Sequence, residues 1–264
     1  MRPFVSTVDE ARAPTLSIID VVDHRPYPLP AGPWVMGMVW YKLLFAHWRC
    51  PPAALRPHVP ASLELDTYEG DAYLGVVPFG MSQVSPPMVP PLPWLSKFLE
   101  LNVRTYVKAD GKSGVYFFSL DAANPVAVAC ARRFFMLPYY NALMSMGQDD
   151  DWVRYRSRRT HRGAGTAEFG GRYRPTGERF RSQPRSIEEW LTERYCLFTT
   201  RPSGRVFRCD IHHLPWPLQK AEADIESNSM IVGNGLPAAG DALHPHLLHY
   251  AAKIDTVAWP LAAI

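Results

Sequence analysis

The sequence predicts a mainly β (α+β) protein: a single, mostly antiparallel sheet closed into a β-barrel, with a few short helices. Three observations predict it. Segments 98–107 and 114–122 are dominated by aromatic and β-branched residues and flank the turn Lys108-Ala109-Asp110-Gly111-Lys112, the pattern of paired strands. The chain carries 26 prolines, about twice the usual ~5%. Each proline inside a helix would remove an amide hydrogen bond and clash with the preceding turn. Strand-like runs also recur along the chain, and closure of a many-stranded curved sheet removes its exposed edges.

The elements follow in order. Residues 1–35 read as an arm with six prolines and a short apolar patch, Leu16 to Val22. Residues 34–50 are strand-like and stop at Pro51-Pro52. A short helix follows, because proline is tolerated in a first turn, and it must end near Pro57 or Pro60. Residues 63–79 read as a hairpin about Tyr68-Glu69-Gly70-Asp71. Residues 82–95 form a proline-rich loop of a length that often covers a site. After the 98–122 strand pair, residues 126–137 read as a short helix, since Val126, Cys130 and Phe134 recur every four. Residues 152–174 read as two antiparallel strands. Ser186 and Glu189 form a capping box. Residues 193–200 and 204–213 read as a further hairpin. The tail from 222 is weakly patterned and reads as a surface strap or a partly mobile end.

Composition bounds the function. With 264 residues, 47% hydrophobic and 20% charged, the chain has enough apolar content to fold on a sizeable core. Its four cysteines include no C-x-x-C pair, which argues against a disulfide scaffold or a cysteine zinc site and for a reducing, cytoplasmic setting. No apolar signal core follows the Met-Arg-Pro start, and the longest clean apolar run, near Trp34–Tyr41, falls short of the ~20 residues of a membrane span. No membrane partner is expected. Arginine outnumbers lysine 22 to 6, with 14 arginines between 151 and 210. These alternate with apolar or small residues at strand spacing, so no nucleic-acid partner is expected either.

Candidate chemistry centres on one strand. Glu100, Asn102, Arg104 and Tyr106 share a parity and therefore a face. That face is either solvated or the wall of a polar cavity. Glu100 and Arg104 lie some 13 Å apart at ~3.3 Å per residue, so both need partners from other strands. Asp121 is a strand-end turn residue or a site carboxylate. Arg132 and Arg133 sit in an apolar run, where a buried unpaired charge would be costly. The histidine groups at 212–213 and 244–249 lack H-E-x-x-H spacing, so no metal is expected. No G-x-S-x-G, Walker or dinucleotide motif occurs, and no cofactor is expected.

Seven segments carry a resemblance to a known family: W-Y-K-L-L-F-A-H-W (40–48), L-G-V-V-P-F (74–79), F-L-E-L-N-V-R-T-Y-V (98–107), G-V-Y-F-F-S-L-D-A (114–122), A-R-R-F-F-M-L-P-Y-Y (131–140), E-R-Y-C-L-F (193–198) and H-H-L-P-W-P-L (212–218). They resemble the YqjF-like family, the domain of unknown function 2071, over about 36–221. That family is related in fold to acetoacetate decarboxylase. The resemblance implies a cone-like barrel over 36–221 with a central cavity, an arm over 1–35 and a tail over 222–264. In the decarboxylases a G-R-x-x-x-G-F-P-K-K-like segment supplies a Schiff-base lysine beside a second lysine, which lowers its pKa by like charge. The similar segment here places Tyr139 and Tyr140 where the lysines would stand. By the same resemblance, Arg132 corresponds to the decarboxylase arginine and Glu100 to a cavity glutamate. A phenol cannot form an imine, so Schiff-base chemistry is not expected.

The resulting expectation is a polar-walled barrel cavity that binds a small oxygenated or carboxylated organic ligand. Whether it also runs lysine-independent acid–base chemistry stays open. Glu100, Arg104, Arg132, Tyr139 and Tyr140 are the candidate catalytic groups, and Asn102, Tyr106 and Asp121 the candidate ligand contacts. The alternative is a non-catalytic structural or interaction barrel with a filled lumen. The sequence leaves the oligomeric state open, a homo-oligomer included.

Overall fold

Strand β1 (Met36–Cys50) is buried on both faces over Leu43–Trp48, which requires cover on both sides. The computed structural model describes residues 16–264 except Pro93 and Pro202, so the first 15 residues of the expected N-terminal arm lie outside the described residues. Helix α1 (Pro52–Leu55) begins at the proline pair and runs into a 3-10 turn ending at His58. Then come β2 (Glu64–Leu65), β3 (Ala72–Ser85), β4 (Phe98–Ala109), β5 (Lys112–Ala122), α2 (Pro125–Phe134), β6 (Tyr139–Asp149), β7 (Trp152–Arg159) and β8 (Glu168–Phe180). The chain finishes with α3 (Ile187–Thr192), β9 (Cys196–Thr200), β10 (Val206–His213), β11 (Leu218–Asn228), β12 (Leu247–Ala258) and β13 (Ala262–Ala263).

The sheet corrects the expected single antiparallel closed barrel. It is mixed and branched, with β2 and β13 at the two ends of its strand order. One edge of β5 pairs antiparallel with β4, whereas its other edge is shared by β9 and β6, both parallel to it. Likewise one edge of β12 runs along β1, and the other is divided between β10 and β11. Residue alternation reports which face a side chain takes, not which strand lies alongside. The parallel β5–β6 pairing follows from α2, which carries the chain back over the sheet.

Several local expectations hold. The β4–β5 hairpin, the β9–β10 hairpin and the β7–β8 pair all form. Ser186 caps α3 by accepting from the Glu189 amide. Other expectations change. Tyr68–Asp71 is a turn, but β2 pairs with β4 and not with β3. The proline-rich loop begins only after Ser85, because β3 continues to that residue. The boundary expected at 221/222 falls inside β11, and β12 is an interior strand rather than a strap.

Two bulges decide which side chains face inward. On β1, Lys42 has φ 53° and the pairing with β3 shifts between Tyr41 and Ala46. The parity therefore flips: Met36, Met38 and Trp40 face the same pocket as Leu43 and Phe45. The opposite face, with Leu44, Ala46 and Trp48, joins the largest core cluster together with Leu101, Val103 and Tyr155. On β5 the register with β4 shifts between Val103 and Arg104, where Ser119 pairs with Val103 and Phe117 with Arg104. Phe118 is the extra residue of a β-bulge. Val115, Phe117 and Leu120 consequently line the pocket, and Asp121 is turned to the other face.

Candidate functional site

The even face of β4 meets a pocket of about 350 Å³. Glu100, Asn102 and Arg104 all line it. Its remaining wall is overwhelmingly apolar, with Met38, Phe45, Phe79, Met81 and Trp216 among the contributors. This overturns the expected polar-walled barrel cavity. The same volume also overturns the filled lumen of the alternative. Because β1, β3 and β5 each turn an apolar row to this side, the three polar residues of β4 stand out against a largely hydrocarbon background.

Arg104 is the distinctive charge. Its guanidinium lies 5.3 Å from the Phe45 ring centroid and 5.7 Å from that of Tyr106. It makes no ion pair among the described residues, and its buried Nε has no hydrogen-bond partner. The neighbouring Arg194, by contrast, donates from Nη1 to Asp66 Oδ2 at 2.7 Å, and Lys108 Nζ meets the other Asp66 oxygen at 2.8 Å. Burial alone would raise the pKa of Asp66, but the two cations hold it below its ordinary value. The aspartate is thus already committed to Arg194 and Lys108, and the Arg104 guanidinium faces an apolar space with no carboxylate partner among the described residues. Such a group attracts a carboxylate strongly, since little water competes for it.

Beneath Arg104 lies a buried pair. Tyr106 Oη and His47 Nε2 are 2.6 Å apart, and both residues are fully buried. Burial, with Arg104 nearby, holds His47 well below its ordinary pKa, so it is neutral. Gly75 gives both side chains room: a Cβ there would come within 3.2 Å of Arg104 Cγ and of the His47 ring. Tyr106 therefore supports the site from behind and does not line the pocket.

Glu100 marks the opposite end. It is 3% exposed and accepts from Tyr139 Oη at 2.7 Å. Burial pushes its pKa up to about 7, against the lowering effect of that hydrogen bond. The native state thus holds a proton on Glu100 between pH 4.5 and 7, where the unfolded chain has released it. Stability from this group is greatest below pH 4.5, falls as pH rises to about 7, and is flat above. Glu100→Gln should flatten that slope. It should gain up to ~3 kcal/mol on wild type at pH 8 relative to pH 4.5, measured by urea unfolding at the two pH values.

The other sequence candidates are placed differently. Tyr139 begins β6 with its phenol in the pocket. Tyr140 points the other way, with the Arg159 guanidinium 4.3 Å from its ring. Asp121 is fully buried and takes a bidentate contact from Arg159, with oxygens 2.7–3.1 Å from Nη2 and Nε. Arg132 is exposed, and its Nη1 donates to the Tyr139 carbonyl at 2.7 Å. It splints the start of β6 outside the pocket wall. The structure therefore brings together Glu100, Asn102, Arg104 and Tyr139, with Tyr106 behind them. It separates off Arg132, Tyr140 and Asp121.

Sequence reasoning missed Arg194, Thr192 and Trp216. Arg194 and Trp216 lie within the E-R-Y-C-L-F and H-H-L-P-W-P-L segments, which was the available signal. Nothing local, however, indicates that Arg194 is buried against Asp66, 128 residues away. No lysine lines the pocket. Borohydride treatment in the presence of pyruvate should accordingly leave the protein mass unchanged, and a stoichiometric adduct on any lysine would contradict the geometry. Among the described residues no cluster of three or more metal-ligating side chains occurs.

The fold is related to that of acetoacetate decarboxylase and MppR. The enduracididine biosynthesis enzyme MppR, in a structure complexed with pyruvate, superposes with a TM-score of 0.56 at 12% identity, over 90% of this chain and 93% of that one. An acetoacetate decarboxylase-like enzyme from Sphingomonas wittichii RW1 gives a TM-score of 0.57 at 13% identity, over 91% and 97%. Residues 37–255 match the DUF2071 family, described as an uncharacterized conserved protein. The chain is 43% identical over 235 residues to the uncharacterized protein YqjF of Bacillus subtilis (strain 168), covering 88% of this chain and 94% of that protein. The chain belongs to the DUF2071 family. The match runs to residue 255, well beyond the 221 expected from the sequence motifs, as the central position of β12 requires.

Proposed function

We propose that this protein binds a small organic monocarboxylate with an apolar body. The carboxylate sits against Arg104 and the body lies along the apolar wall toward Glu100 and Tyr139. The observation that carries the reading is the guanidinium of Arg104, free of any ion pair among the described residues, on the wall of a 350 Å³ apolar pocket. A pocket of that size suits a small ligand whose few polar groups meet a few placed partners. Pyruvate in the MppR complex is a carboxylate held by a protein of this fold, which supports the ligand class.

Thermal unfolding across a graded series, from acetate to decanoate, tests it against the matching primary amides. A ligand at 100 times its Kd stabilises by about 2.7 kcal/mol, or roughly 5 °C for a domain of this size. The acids should stabilise increasingly with body length, and the amides should not. Equal stabilisation by acids and amides, or none by any acid, would remove the reading.

A further inference from the structure

Helix α2 turns its apolar stripe outward. Val126, Cys130 and Phe134 are spaced four apart and all are exposed, Phe134 to 69%. Burial is kept for Val128, and the pocket is reached by Ala127, Cys130, Ala131 and the following Phe135. The loop after β3 adds Met88, Val89, Leu92 and Trp94, with Trp94 65% exposed. Asn124, the N-cap of α2, donates from Nδ2 to the Trp94 carbonyl at 3.0 Å. The loop is therefore fastened beside the helix, and the two apolar rows form one neighbourhood. Six of the twelve large apolar side chains exposed among the described residues fall in these two segments. Isolated exposed apolar residues need no explanation, but a concentrated group marks a contact surface.

Charge indicates what covers it. Residues 86–99 and 123–137 contain Lys97, Arg132 and Arg133 and no aspartate or glutamate. All three cations are exposed. Tryptophan, phenylalanine and methionine beside cations, with no anion in either segment, suit the boundary between anionic headgroups and acyl chains. A second copy of this face would instead set like charges against one another. The same two segments also line the pocket, through Pro86 and Leu95 on the loop and Ala127, Cys130 and Ala131 on the helix.

We propose that the face formed by the 86–97 loop and α2 docks on the surface of an anionic lipid bilayer, lying on it without crossing it. The pocket wall then adjoins the membrane. This inference rests on the exposed face and not on the ligand assigned to Arg104, so either can fail alone.

Co-sedimentation of the full chain with vesicles tests it. Vesicles of phosphatidylcholine with 30% phosphatidylglycerol should carry the protein down, and pure phosphatidylcholine should do so at least tenfold less. Trp94→Ser with Phe134→Ser, and separately Lys97→Glu with Arg133→Glu, should each cut binding at least tenfold while leaving the melting temperature unchanged. Binding to the anionic vesicles should also weaken between 50 and 300 mM salt. Absence of binding to the anionic vesicles would overturn the proposal. So would binding that both variant pairs leave intact. A stable dimer by light scattering that Trp94→Ser with Phe134→Ser returns to monomer would assign the face to a second copy, and would equally overturn it.

Discussion

Arg104→Ala is expected to lower affinity for the best-binding carboxylate by about 30-fold or more, because losing a charged hydrogen-bonded contact costs roughly 2–5 kcal/mol. The ligand-free protein should melt at nearly the wild-type temperature. Arg104 holds no carboxylate in place, so its removal strands no opposite charge. Arg104→Lys should recover part of the affinity, since a point charge replaces the planar fork. Isothermal titration of the three proteins, with melting curves alongside, gives both quantities. A large fall in melting temperature for Arg104→Ala, with affinity unaltered, would make the residue structural.

The second large effect is on stability. Arg159→Ala should destabilise the fold by ~3–5 kcal/mol, since it leaves Asp121 buried and unpaired. Both partners are nearly inaccessible, with side chains 3% and 0% exposed, so water cannot rescue the carboxylate. Arg159 also donates to Asn234 Oδ1, joining the β7 end to the turn after β11. The double replacement Asp121→Leu with Arg159→Met should cost less than Arg159→Ala alone, because neither charge is then stranded. Urea unfolding separates these outcomes. A near-neutral Arg159→Ala would show that the pair does not hold β5 to β7. Carboxylate affinity at Arg104 should persist in the double variant, because Asp121 faces away from the pocket.

Much of this was legible in residue order, and what was not had a definite physical cause. Alternation in 98–107 places Glu100, Asn102 and Arg104 on one face, and the structure turns that face to the pocket. The same alternation in 114–122 misleads, because the bulge at Phe118 reverses parity before Asp121. A bulge of this kind leaves no composition signal. The four-residue spacing of Val126, Cys130 and Phe134 identifies a helix correctly, yet the stripe faces out. Periodicity identifies a face but not whether anything packs against it. Arg132 was drawn toward the cavity by family resemblance and by its apolar neighbours, whereas the helix end leaves it at the surface. The parallel pairings of β5 and the divided edge of β12 depend on contacts far apart in sequence, which strand patterns do not encode.

The most direct test is the position of a bound carboxylate in a crystal structure. An ω-bromo alkanoate from the stabilising end of the series would report both ends of the molecule, the bromine through its anomalous signal. The account predicts the carboxylate oxygens within hydrogen-bond distance of the Arg104 guanidinium, ~2.7–2.9 Å. The bromine should lie against the apolar wall on the Glu100–Tyr139 side. A carboxylate bound away from Arg104, or a bromine peak outside the pocket, would contradict it.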